Sequence, residues 1–161
     1  MTVEVLNIGT ELLLGSVQNT HAGWIARQIF PLGMRLARQT TVPDGPAIRD
    51  AVLETCGRAE VVFITGGLGP TTDDITREVV AELLGRKLHA DPAIRAHIEA
   101  RLAARGYQLL ERMLRQTMVP EGAEVLPNPN GTAPGLYFPA VQLPSSATPH
   151  FFLMPGPPRE L

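Results

Sequence analysis

The sequence has a single cysteine, Cys56, which excludes both an intramolecular disulfide framework and a multi-cysteine metal site. It lacks any apolar run near the ~18 residues of a membrane span. It also lacks a charge excess: 14 Lys+Arg stand against 16 Asp+Glu, a formal net charge of −2. That balance gives no basic footprint for nucleic acid. The start, Met1 to Ile8, has no basic n-region and no cleavage site, and reads as a first strand rather than a signal peptide. His21, His89, His97 and His150 lie far apart without metal-ligand spacing. No serine occupies a nucleophile elbow. These absences leave a soluble, cytoplasmic globular domain with neither nucleic acid nor membrane as partner.

With 44% hydrophobic and 19% charged residues, the composition is not that of a disordered chain. A chain of 161 residues is one domain, able to bury ~70% of its unfolded surface. Its 15 glycines and 15 prolines exceed average usage. Of the prolines, 10 lie from Pro120 onward, and between Leu126 and Leu161 the only ionised side chains are Arg159 and Glu160. The last quarter therefore reads as loops with short strands. The ending, Met154-Pro-Gly-Pro-Pro-Arg-Glu-Leu161, has the profile of a helix entry. The expectation is a single domain over residues 1–161, truncated at its C-terminal end.

Val3–Ile8, ending at Gly9, has the profile of a buried strand. Asn19 or Thr20 caps a helix through about Phe30, with Ala22, Trp24, Ile25 and Ile29 inward and Pro31 and Gly33 as the stop. Met34–Val42 reads as a second strand, and a helix runs from Pro46 to Cys56 before Gly57. Glu60–Thr65 is the strongest strand signal, bounded by Gly66-Gly67. Helices are expected over about Asp73–Leu84, from Pro92 to near Gly106, and over Leu109–Met118. Short strands are expected around Glu124–Leu126, Leu136–Phe138 and Phe151–Met154. Alternating strands and helices around a continuous apolar central strand predict a mostly parallel sheet covered by helices. Ligands then bind beyond the carboxyl ends of the strands, in the loops after Ile8, Val42, Thr65 and Met154.

Those loops carry the unusual residues. Thr65-Gly-Gly-Leu-Gly-Pro-Thr-Thr-Asp-Asp74 offers bare backbone N–H groups ahead of a helix, the makings of an anion site. Asp73 and Asp74 would repel a lone phosphate, and a divalent cation shared with it would resolve the conflict. Alternatively Thr71 caps the helix and Asp74 closes a capping box. The spacing Gly67-x-Gly69-x-x-Thr72 lacks the third glycine of a dinucleotide fingerprint, and no lysine follows to make a P-loop. Asp44 in Val42-Pro-Asp-Gly-Pro46 and Glu11 after Gly9-Thr10 place carboxylates at strand ends, as ligands or as ordinary turn and surface residues. Asn130-Gly-Thr-Ala-Pro-Gly135 and Pro155-Gly-Pro-Pro158 are further turn-rich segments facing a ligand or only reversing the chain.

Ile8-Gly-Thr-Glu-Leu-Leu-Leu-Gly15, Asn19-Thr20, Arg38–Val42, Thr65–Glu78, Asn130–Gly135 and Pro155–Pro158 together resemble the N-terminal domain of CinA-type competence/damage-inducible proteins. That domain belongs to the molybdopterin-binding superfamily of the Mog and MoaB proteins. The resemblance implies a three-layer α/β/α sandwich, a pterin- or nucleotide-type pyrophosphate ligand and, for the CinA branch, metal-dependent ADP-ribose pyrophosphatase activity. The family's functional positions fall on Asp44, Asp74 and the phosphate loop Gly66, Gly67 and Gly69. Loop placement taken together with the resemblance gives the expectation that Asp44 and Asp74 are catalytic, that Asp73, Asp74 and Glu11 face a divalent metal, and that Gly66, Gly67, Gly69, Thr71, Asn130, Gly131, Thr132, Pro155 and Gly156 contact the substrate. Leu68 stands where Mog-type members commonly carry Thr, so molybdopterin is the less favoured ligand. The alternative is a non-catalytic molybdopterin- or nucleotide-binding module. The resemblance also implies a homo-oligomer, most simply a dimer, and a C-terminal amidase domain in the full-length protein.

Overall fold

The computed structural model describes residues 1–142 and 147–160, so Leu161 of the expected domain lies outside the described residues. The elements follow as β1 (Thr2–Ile8), α1 (Thr10–Leu13), α2 (His21–Ile29), β2 (Arg35–Val42), α3 (Ala47–Thr55), β3 (Val61–Thr65) and α4 (Thr76–Leu83). Then come β4 (Leu88–Ala90), α5 (Pro92–Ala103), a 3-10 segment (Glu111–Thr117), β5 (Met118–Pro120), β6 (Glu124–Leu126), β7 (Gly135–Phe138) and β8 (His150–Met154). A short 3-10 turn covers Pro158–Glu160.

Six strands form one sheet in the order β2-β1-β3-β8-β7-β6. The first four are mutually parallel, and β7 and β6 continue antiparallel. Strand alternation sends Leu6, Ile8, Val62, Ile64, Phe151 and Leu153 to one face, where α3, α4 and α5 bury Ile48, Val52, Val80 and Ile98 against them. Val3, Val5 and Val61 face the other way, under Ala22, Ile25 and Ile29 of α2. Among the described residues, one α-helix, α2, packs on that second face. Beyond it, Phe63, Phe152 and Tyr137 stack across neighbouring strands, with ring centroids 5.0 and 4.7 Å apart. The fold is thus the expected α/β class with a mostly parallel central sheet, unequally covered. It places the carboxyl ends of β1, β2, β3 and β8 side by side.

Four expectations are corrected. Trp24 is 40% exposed rather than inward, and the buried polar residue of α2 is His21. The helix expected from Asp73 begins at Thr76, because Asp74 holds its carboxylate on Thr71 in a turn. No capping box forms at Thr71–Asp74, and neither aspartate lies in the first helical turn. The Leu109–Met118 stretch is 3-10 rather than α-helical; it leads into β5, which pairs with β4. Neither β4 nor the single turn α1 was legible, each being three or four residues long.

Candidate functional site

The loops after β1, β2, β3 and β8 meet in one cleft of about 320 Å3. Gly9, Glu11, Asn19 and His21 line it from the β1 side, Asp44 from β2, Gly66–Gly69 and Asp74 from β3, and Gly156–Pro158 from β8. The four strand-end loops picked out by sequence therefore converge.

The β3 loop is shaped by two close approaches. Gly66 has φ +95°, and a Cβ there would strike the Ile8 carbonyl oxygen of the neighbouring strand. Gly67 has φ +69°, and a Cβ would meet the Thr76 hydroxyl, which donates to the Gly66 carbonyl at 3.1 Å. The loop's carbonyls turn inward onto two arginines. Arg77, 3% exposed, donates to Leu68 O at 3.3 Å and to Arg115 O; burial pulls its pKa down, opposed by Glu78. Arg115 donates to Thr71 O at 2.5 Å, Asp74 O at 3.3 Å and Glu78 Oε1 at 3.1 Å. Gly66 N donates to Met154 O at 3.0 Å. Among the described residues no acceptor meets the N–H groups of Gly67, Leu68 and Gly69. With carbonyls held inward, the loop leaves three successive N–H groups open to an acceptor from outside the described residues.

Both aspartates are engaged. Asp74 Oδ2 accepts from Thr71 N at 2.9 Å and from its hydroxyl at 2.5 Å. Asp44 Oδ2 does the same for Thr10 N and Oγ1, at 2.9 and 3.0 Å. Thr10 opens α1, so Asp44 supplies that helix with a cap from a different loop. Among the described residues no donor meets the second oxygen of either carboxylate. Among the described residues, no group of three or more His, Cys, Asp or Glu could hold a metal ion.

The model of the family described as "Probable molybdopterin binding domain" matches residues 4–161. The chain belongs to that family. Within the molybdopterin-binding family it lies near CinA proteins: it is 47% identical to a "CinA-like protein" of Akkermansia muciniphila over 99% of its own length. It is 48% identical to a "Putative competence-damage inducible protein" of Symbiobacterium thermophilum over its full length. It spans only 37% of either relative. Its fold matches a crystal structure of CinA from Thermoplasma acidophilum, a protein described there as of unknown function. The TM-score is 0.81 at 30% identity, covering 99% of this chain and 90% of that one. MoaB of Thermus thermophilus shares the fold, with TM-score 0.56 at 18% identity over 99% of this chain and 83% of that one.

Not every expected residue reaches the cleft. Thr71, Asp73 and Pro155 do not line it; Thr71 serves Asp74, and the Asp73 carbonyl accepts from Gly45 N. Asn130, Gly131 and Thr132 lie elsewhere, in a turn closed upon itself. Asn128 Oδ1 accepts from the amides of Asn130 and Gly131, and its Nδ2 donates to Ala133 O. His97 and Arg101 of α5 hold the carbonyls of Gly131, Pro129 and Asn130. Tight turns and ligand loops draw on the same residues, which is why the sequence did not separate them. The residues missed were Thr10, Asn19 and His21. His21 has no metal-ligand spacing; its signal is its place at a helix start, beside the ends of β1 and β3.

Proposed function

We propose that this domain is a binding module for a phosphorylated small molecule of the molybdopterin or nucleotide type, within a longer CinA-like protein. The free amides of Gly67, Leu68 and Gly69 carry this reading, supported by the family assignment. A phosphate oxygen set against three N–H groups replaces their lost hydration with charge-assisted hydrogen bonds. The cleft volume sits at the small end of the ligand-pocket range.

Glu11, Asp44 and Asp74 give the mouth a negative field that a bare pyrophosphate would feel. These residues do not form an all-protein cation cage. They fit a magnesium-type ion that arrives with the phosphates, keeps several waters and takes one or two carboxylates. Asp74 and Asp44, each with a free oxygen, are the residues for that role. Such an ion would neutralise phosphate charge.

Hydrolysis of ADP-ribose, the leading expectation from the sequence, has less behind it. Asp44 and Asp74 each spend one oxygen on a threonine, and the family match speaks of binding. The test is titration with ADP-ribose and with pyrophosphate, with and without Mg2+, while following AMP release. Saturable binding without AMP establishes the module. Metal-dependent AMP release that Asp74→Asn abolishes would instead make it a hydrolase.

A further inference from the structure

The cleft also holds a buried polar pair that phosphate recognition leaves unused. His21 is 6% exposed, and among the described residues neither its Nε2 nor the buried Nδ2 of Asn19, on the same wall, has a hydrogen-bond partner. A chain of hydrogen bonds decides which imidazole nitrogen carries the proton. Asn7 Nδ2 donates to Thr40 O at 3.2 Å, which turns Asn7 Oδ1 toward Thr65. The Thr65 hydroxyl donates its one proton to that oxygen at 3.1 Å. Toward His21 Nδ1, 3.2 Å away, Thr65 Oγ1 can then only accept, so Nδ1 bears the hydrogen. Burial keeps the ring neutral, lowering its pKa. A neutral imidazole has one N–H, so Nε2 presents a lone pair.

A buried lone pair and a buried N–H donor in one cleft cost free energy until both are matched. Phosphate oxygens can satisfy only the donor. We propose that His21 Nε2 and Asn19 Nδ2 form a second subsite, which takes a ligand group that donates and accepts together. A sugar hydroxyl has that chemistry, and so does the lactam edge of a pterin. The inference rests on the phosphate-cleft reading, and assigns Asn7 and Thr65 as positioning residues that fix the His21 tautomer.

The test is 15N NMR of the His21 ring and of the loop amides, with three probes: pyrophosphate, ADP-ribose and hydroxymethylpterin diphosphate. Before ligand is added, the ring should show the Nδ1–H tautomer. Pyrophosphate should move the Gly67–Gly69 amides and leave Nε2 unchanged. ADP-ribose or the pterin, whichever carries the right group, should move both. His21→Phe should weaken that probe about tenfold, the scale of one hydrogen bond, leaving pyrophosphate affinity unchanged; His21→Gln, which restores an acceptor, should recover part of the loss. An Nε2–H tautomer overturns the proposal, as does an Nε2 signal unmoved by both larger probes while the amides respond. If no probe moves the amides, the phosphate-cleft reading itself fails, and the subsite with it.

Discussion

Asp44 and Thr10 grip each other reciprocally across two loops: Asp44 Oδ2 accepts from the Thr10 amide and hydroxyl, while Asp44 N donates back to Thr10 Oγ1 at 3.2 Å. Thirty-four residues separate them in sequence, and the grip sets the distance between the β1 and β2 sides of the cleft. Thr10→Val removes the hydroxyl while keeping the shape. It should destabilise the fold by about 1 kcal/mol in urea unfolding and weaken pyrophosphate binding by loosening the wall.

The glycines of the β3 loop should separate by what a methyl would meet. Gly66→Ala forces a Cβ onto backbone and keeps φ at +95°, so a loss of at least ~2 kcal/mol is expected. Gly69→Ala meets the Asp74 carboxylate at 2.6 Å, a side chain that can turn away. Turning away gives up its bonds from the Thr71 amide and hydroxyl, so the variant should lose about 1 kcal/mol of stability, less than Gly66→Ala, and cost ligand affinity. Gly15→Ala, at φ +72° in open space, is the control, costing only the ~1 kcal/mol of a left-handed alanine.

Glu4 is 3% exposed on β1, and Arg58 satisfies both its oxygens at 2.8 Å each. The carboxylate raises the pKa of the arginine through those hydrogen bonds. Arg58→Ala leaves the carboxylate buried without its cation, and a loss of about 2–3 kcal/mol is expected by chemical denaturation. Glu4→Gln with Arg58→Ala should recover part of it, since an amide is cheaper to bury than a charge.

His21 predicts the sign of the pH dependence. Burial lowers its folded pKa below the ordinary value, so the unfolded chain binds the proton first. The stability held by the neutral ring is present above about pH 6.5, the unfolded value, and is lost as pH falls toward the folded value. Thermal unfolding of wild type and His21→Gln across that range should show the acid-side slope flatten in the variant.

Strands β1, β3, β7 and β8 were legible because they are short, largely apolar runs ended by glycine or proline, as Glu60–Gly67 shows. The cleft was legible through topology: parallel strands put their carboxyl ends together, so four odd loops had to meet. What stayed hidden was partner choice between residues far apart in sequence. Nothing local tells Asp44 to hold Thr10 rather than its own turn, nor sets Thr65 to orient His21. The Asn130–Thr132 turn misled for the converse reason, since its composition fits a ligand loop while Asn128 closes it.

The central claim is that Gly67, Leu68 and Gly69 hold a phosphate with their amides. A 15N-HSQC titration with pyrophosphate and Mg2+ tests it most directly. Saturable shifts concentrated on those amides, lost in Gly67→Ala and kept in Gly15→Ala, are the predicted result. Shifts clustered on the Asn128–Pro134 turn, or none in the β3 loop, would contradict it.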